Sequence, residues 1–248
     1  MARNRRVFSQ NFLTDRHALD LIVKAAEPEG LILEPGPGEG VLTWALARAG
    51  ARVIAYEIDP RLAARLARST RDDPRIQVRR GDFAQAFPPR EPFAVVGNIP
   101  YSATSRIVGW CLRAPGMTSA TLLTQLEYAR KRTGDYGRWS LLTVASWPWY
   151  GWRLGDRVSR HSFHPVPSVD SAVLRIERRR RPLVRHGRAY RELVELGFRG
   201  VGGSVRASLR PHYRGVDAAL AAAGIGRDTL VGYVHPDQWV TLFRRLDQ

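Results

Sequence analysis

An α/β fold with a doubly wound, parallel sheet, followed by a small all-helical domain, is what this sequence predicts. Three observations carry that expectation. Short apolar runs of strand character alternate with helical stretches from residue 31 onward, the pattern of successive βαβ units. A glycine-rich turn, Gly36-Pro37-Gly38-Glu39-Gly40, separates the first such run from the helix after it. Beyond Arg178-Arg179-Arg180-Arg181-Pro182 the strand pattern stops and only helical stretches remain.

Each element follows from local chemistry. Residues 1–13 read as an extended basic arm. Thr14 or Asp15 caps a helix whose apolar positions Ala18, Leu19, Ile22, Val23 and Ala26 share one face, and Pro28-Glu29-Gly30 ends it. Leu31-Ile32-Leu33 is a short buried strand, and a helix from Val41 to Ala49 follows the glycine turn. Arg52 to Glu57 is the next strand, and Asp59 caps a helix that has Pro60 at its first position. Ile76-Gln77-Val78 is a third strand leading to Gly81-Asp82-Phe83; Phe93 to Gly97 is a fourth. Pro100 cannot extend a ladder, so the chain turns sharply at Asn98-Ile99-Pro100-Tyr101. Ile107 to Leu112 reads as a helix. Ala120–Leu123, Leu141–Trp147 and Val169–Ile176 read as strands, with a loop at Thr133–Gly137. The domain boundary is placed after residue 177. Helices follow at Tyr190–Phe198, at Val216–Ala223, and behind His235-Pro236 with Trp239, Leu242, Phe243 and Leu246 on one face.

Composition narrows the partner. The 248 residues carry a net charge of +16, and all but two of the basic residues are arginine. That surplus points to a polyanion, and arginine suits phosphate forks and base stacking. A nucleic acid ranks above a membrane surface because neither a long apolar run nor an amphipathic basic helix is present. Cys111 is the single cysteine, so a disulfide framework and a cysteine zinc site are excluded. His161 and His164 lack nearby acids or thiols, so no metal site is expected. The basic amino terminus runs into polar Ser9-Gln10-Asn11 instead of an apolar segment, which is not a secretory signal, and the expected compartment is the cytoplasm. Nothing demands an obligate dimer, and a monomer is expected.

The glycine turn lets a ligand approach the backbone closely. Glu57, about twenty residues on at the end of the next strand, is placed to accept hydrogen bonds from ribose hydroxyls. Val41 stands where a nicotinamide dehydrogenase would have glycine. Glu34 and Glu39 put acid beside the turn, which disfavours a pyrophosphate and favours a cationic nucleoside, S-adenosylmethionine. Asp82 is placed to accept from an adenine amino group, with Phe83 near the ring. Asn98 and Tyr101 set a carboxamide and an aromatic ring at the carboxyl end of a strand, which suits a nucleobase.

Taken together, Phe8-Ser9-Gln10-Asn11-Phe12-Leu13, Glu34 to Gly40, Glu57, Gly81-Asp82-Phe83, Asn98-Ile99-Pro100-Tyr101, Gly137-Arg138-Trp139-Ser140 and Phe163-His164-Pro165-Val166-Pro167-Ser168-Val169-Asp170-Ser171 closely resemble the rRNA adenine N6-methyltransferases. The resemblance covers nearly all of residues 5–176 and, more loosely, the tail. It implies a Rossmann-like S-adenosylmethionine-dependent methyltransferase domain over 1–177 and a helical RNA-binding domain over 178–248. Two branches compete. The Erm group methylates an adenine of 23S rRNA and confers macrolide, lincosamide and streptogramin B resistance; the other dimethylates small-subunit rRNA. Asn98-Ile99-Pro100-Tyr101-Ser102 looks like the Erm form, since the other branch usually has Leu at 99 and Asn at 102. Carried over residue by residue, Asn11, Leu13, Gly36, Gly38, Glu57, Ile58, Asp82, Phe83 and Asn98 would hold the cofactor. Asn98 with the Ile99-Pro100 backbone would bind the target amine, and Tyr101 and Phe163 would sandwich the adenine. A non-catalytic nucleic-acid-binding factor on the same scaffold is the rival from another class.

Overall fold

The computed structural model describes residues 11–200 and 203–247. The expected basic arm therefore lies outside the described residues as far as residue 10. The chain divides into two compact units, one formed by the residues up to Ala129 with Arg153–Glu177, the other by Arg130–Trp152 with the residues from Arg178 on.

The first unit is organised by a seven-stranded sheet. Its strands are β2 (Leu31–Pro35), β3 (Arg52–Glu57), β4 (Ile76–Arg80), β5 (Phe93–Asn98), β6 (Met117–Gln125), β7 (Tyr150–Val158) and β9 (Ser171–Arg178), in the order β4-β3-β2-β5-β6-β9-β7. The five strands from β4 to β6 run parallel, and β9 is antiparallel to β6. Ile32, Leu33, Val53, Val95, Val96, Leu122 and Leu123 are fully buried, as strands covered on both faces require. Helices α1 (Arg16–Ala26), α2 (Val41–Arg48), α3 (Pro60–Ser69) and α4 (Thr104–Arg113) supply that cover. Asp15 caps α1 by accepting from the His17 amide, and Asp59 caps α3 through the Arg61 and Leu62 amides, with Pro60 at its first position. A second, two-stranded sheet pairs β1 (Phe12–Leu13) with β8 (Phe163–His164), with Leu13 opposite Phe163.

The chain winds outward from β2 through β3 to β4, then returns to lay β5 on the other side of β2. The strand order reverses there, and the carboxyl ends of β2 and β5 bound a crevice. The approach is close: a Cβ on Gly97 would sit 3.0 Å from the Pro35 ring, and one on Gly36 would sit 3.6 Å from Pro100.

Two sequence expectations are corrected. Leu141–Trp147 is not a strand but begins with helix α6 (Leu141–Ser146), preceded by α5 (Leu126–Thr133). The Ser140 hydroxyl accepts from the Thr143 amide and starts α6, and Thr143, Val144 and Ser146 are buried while Leu141 is exposed. Residues 130–152, expected in the sheet domain, pack in the helical unit instead. There the Tyr190 hydroxyl donates to the Val144 carbonyl at 3.0 Å and the Trp147 indole to Asp237 at 2.7 Å. The rest of that unit is α7 (Gly187–Arg199), α8 (Val205–Leu209), α9 (Val216–Ala222) and α10 (Pro236–Leu246), closed over Tyr190, Leu193, Leu209, Trp239 and Leu242. His235 and Gln238 form a reciprocal capping box at the start of α10.

Gly40 joins the glycine turn to α2 at φ +84°, and a Cβ there would lie 2.3 Å from Leu66 Cδ1. Gly40→Ala meets both a left-handed backbone and an overpacked neighbour, and is expected to destabilise the protein by about 1–3 kcal/mol in urea unfolding. A wild-type midpoint would contradict this.

Candidate active site

The crevice at the strand ends opens into one cleft within the first unit. It is lined by Asn11, Phe12, Leu13 and Thr14 from the β1 segment and by Glu34, Gly36, Pro37, Gly38, Glu39, Val41 and Leu42 from the β2–α2 turn. Glu57 and Ile58 from β3, Asn98 to Tyr101 from β5, and Phe163 from β8 complete it. Nearly all the residues singled out from sequence therefore meet in one place.

Asn98 sits at the centre of the wall. Its Nδ2 donates to the Asn11 carbonyl at 2.9 Å. A carbonyl oxygen can only accept, so the amide is oriented by chemistry, and Oδ1 is left as the acceptor on this side chain. Tyr101 is half-buried, and its hydroxyl lies 2.7 Å from Ser171 Oγ. Burial raises the phenol pKa, so the ring stays neutral. Phe163 is 2% exposed and backs the same wall. Its segment is held by the Thr14 amide, which donates to the Ser162 carbonyl at 2.9 Å, and by the Ser162 hydroxyl, which donates to Asp15 at 2.8 Å.

The acids are arranged in graded burial. Glu57 is 1% exposed; Oε2 accepts from the Gly38 amide at 3.0 Å and Oε1 from the Asp59 amide at 2.9 Å. Burial raises its pKa and the two amides oppose that rise. Each oxygen accepts one of these bonds and keeps a lone pair for a further donor. Glu34 is also 1% exposed and accepts from Thr43 Oγ1 at 2.6 Å. Burial pushes its pKa up to about 8. Glu34 is therefore mostly protonated at pH 7, which corrects the expectation that it places a negative charge beside the turn. Glu39 is exposed at the rim, 3.7 Å from Arg65.

Asp82 and Phe83 do not line the cleft. Asp82 follows β4, where the Gly81 amide donates to the Glu57 carbonyl at 2.9 Å. Its carboxylate accepts from the Ala84 amide and pairs with Arg106. Phe83 is buried against Tyr56 and Trp110, with ring centroids 5.7 and 4.5 Å away. Sequence reasoning gave no role to Thr43 or to Ser171, which hold Glu34 and Tyr101. Thr43 lies nine residues from Glu34 and Ser171 lies 70 from Tyr101, and only the fold brings these partners together.

The glycine cradle fits a nucleoside cofactor with a cationic tail. A Cβ on Gly38 would come 3.0 Å from the Phe12 ring, so the turn has no room for a side chain where the backbone faces the cleft. Beside the cradle, Glu57 keeps acceptor capacity beyond the bonds from the Gly38 and Asp59 amides.

Compared with known families, the chain matches the model for ribosomal RNA adenine dimethylase over residues 1–248. It belongs to that family. Within this dimethylase family it resembles the Erm type. It is 54% identical, over 99% of its length, to the rRNA adenine N-6-methyltransferase of Saccharopolyspora erythraea, and spans 66% of that relative. It is 37% identical to the mycinamicin-resistance protein MyrB of Micromonospora griseorubida, over 97% of this chain and 78% of MyrB. The crystal structure of the 23S rRNA methyltransferase ErmE superposes with a TM-score of 0.91 at 53% identity, covering 96% of this chain and all of that one. The dimethylase family fold accounts for the crevice, and the chain is an rRNA adenine-N6 methyltransferase.

Because Glu34 has its pKa raised in the folded state, its contribution favours folding below the ordinary carboxylate pKa of 4.5 and is lost as pH rises toward about 8. Glu34→Gln is expected to flatten the decline of the melting temperature between pH 5 and 8.5 in the ligand-free protein. Parallel wild-type and variant curves would contradict the burial argument.

Proposed function

We propose that this protein transfers methyl groups from S-adenosylmethionine to the N6 amine of one adenine in 23S rRNA, and that the modification confers macrolide, lincosamide and streptogramin B resistance. The observation that carries the reading is the fixed orientation of Asn98, which leaves Oδ1 as the acceptor on a side chain that lines a glycine-rich cleft together with Tyr101.

The residues divide the task. S-adenosylmethionine, when bound, supplies an electrophilic methyl group. Gly36 and Gly38 give its cradle, and Glu57 offers the remaining acceptor capacity to ribose hydroxyls. Asn11, Leu13 and Ile58 complete the lining; from the turn after β4, Asp82 would accept from the adenine amino group and the Phe83 main chain would contact that adenine. The target adenine leaves its stack, at a cost of a few kcal/mol that is smaller for an unpaired base, and stacking on Tyr101 against the Phe163 wall offsets that cost. Its N6 lone pair is delocalised into the ring. Donation of an N6–H to Asn98 Oδ1, and of the other to a backbone carbonyl of Ile99-Pro100, draws the nitrogen toward tetrahedral geometry. The lone pair is then free to form the N–C bond as the methyl–sulfur bond breaks. The methylated nitrogen is acidic enough to lose its proton to water, so no side chain is required as a general base.

The experiment is transfer of radiolabelled methyl groups to separately purified 23S and 16S rRNA. Label in 23S alone, recovered as N6-methylated adenine, is expected. Label in 16S alone would instead assign the protein to the small-subunit branch. Tyr101→Ala is expected to lower turnover by about 100-fold while RNA affinity changes by less than about fivefold, since a misplaced base costs chemistry more than binding. Equal losses in both would contradict the stacking role.

A further inference from the structure

In the helical unit, three guanidinium groups lie on three aromatic rings in one contiguous patch. Arg179 sits 5.2 Å from the Trp147 ring centroid, Arg191 5.1 Å from Trp149, and Arg178 4.9 Å from Tyr150. The two segments that supply these groups are joined through the backbone: the Arg179 amide donates to the Trp149 carbonyl at 2.8 Å, and the Leu183 amide to the Pro148 carbonyl at 3.0 Å. The rings are themselves fixed. Trp147 and Tyr150 are buried, and Trp149 lies so close to Gly187 that a Cβ there would sit 2.6 Å from its ring. The floor is rigid, so the arginines on it lose less side-chain freedom when they bind than arginines on a loop.

The patch is also strongly charged. Residues 178–191 contain seven arginines and no acid. Arg180, Arg181 and Arg185 are exposed and have no acidic partner among the described residues; Arg188 is held by Glu192 at 2.9 Å. Arg179 Nε donates to the Trp147 carbonyl at 3.0 Å and an Arg178 terminal nitrogen to the Tyr150 hydroxyl at 2.6 Å, which anchors both groups, and a guanidinium carries five N–H donors, more than these bonds use. The patch exposes no large apolar side chain of the kind that inserts into a lipid surface. A strong positive charge, guanidinium groups anchored on a turn of aromatic residues and no apolar wedge fit the sugar–phosphate backbone of a polyanion.

We infer that this arginine-on-aromatic platform binds the phosphate backbone of the RNA substrate. The inference rests on the function proposed above, and it assigns to the platform affinity for RNA rather than chemistry.

The test is filter binding of naked 23S rRNA to the full chain between 50 and 300 mM salt, without cofactor. The variant Arg180→Ala/Arg181→Ala/Arg185→Ala removes only exposed side chains; a second variant, Arg179→Ala/Arg191→Ala, removes two stacked ones. Each is expected to weaken RNA binding roughly tenfold at 100 mM salt. Each is also expected to make the plot of log affinity against log salt shallower, by about 0.7–0.9 for every phosphate that the variant no longer neutralises. S-adenosylmethionine affinity by calorimetry is expected to stay at the wild-type value. Unchanged RNA affinity and salt slope in the triple variant would overturn the inference, as would loss of binding to phosphatidylglycerol vesicles with RNA binding intact. Neither of these results touches the function of the cleft, whose failure is read separately as absence of methyl transfer by the wild-type protein.

Discussion

One hydrogen bond fixes the orientation of a carboxamide in this cleft: the Asn98 nitrogen donating to the Asn11 carbonyl. It joins two segments 87 residues apart and leaves Oδ1 as the acceptor of the carboxamide. Everything around it serves that orientation. Pro100 ends β5 one residue short of continuing, so Asn98 stands at the strand's last position. The β1–β8 pairing holds Leu13 opposite Phe163, which positions the Asn11 carbonyl and the aromatic wall together. The reversal of strand order between β2 and β5 supplies the open edge.

The electrostatics follow from the same geometry. A Cβ on Gly97 would lie 3.0 Å from the Pro35 ring, and the acids Glu34 and Glu57 are buried. Glu34 answers that burial by holding its proton, with Thr43 as its donor. Glu57 is equally inaccessible, but two backbone amides support its ionised form. Burial raises the pKa of both carboxyls, while the Thr43 hydroxyl on Glu34 and the two amides on Glu57 oppose the rise. The charge that makes the chain basic lies elsewhere, on arginines such as those spread over the Trp147–Tyr150 turn.

Much of this was legible in the sequence, and the reasons are local. Alternating apolar runs, Asp59-Pro60 and the glycine turn each specify their own conformation, and strand ends in a parallel sheet converge on one edge whatever the loops do. Asn98, Tyr101, Glu57 and the glycines, picked out for that reason, lie along one cleft. What was not legible depends on packing between residues far apart in the chain. Leu141–Ala145 is apolar enough for a strand or a helix, and the Ser140 cap with burial against the helical unit decides for the helix. β7 carries Arg153, Asp156 and Arg157 on an edge, so no alternation marked it. Charge on Glu34 was misjudged because burial, not identity, sets its protonation.

The central claim is that Asn98 acts through a fixed acceptor oxygen. The most direct measurement is single-turnover methyl transfer by Asn98→Asp at saturating cofactor and 23S rRNA, with cofactor affinity measured alongside by calorimetry. A carboxylate cannot donate to the Asn11 carbonyl, so the orientation is lost while the size of the side chain is kept. A fall of about 100-fold or more in the chemical step is expected at saturating cofactor, whatever change in cofactor affinity accompanies it. A wild-type rate from the aspartate variant would contradict it.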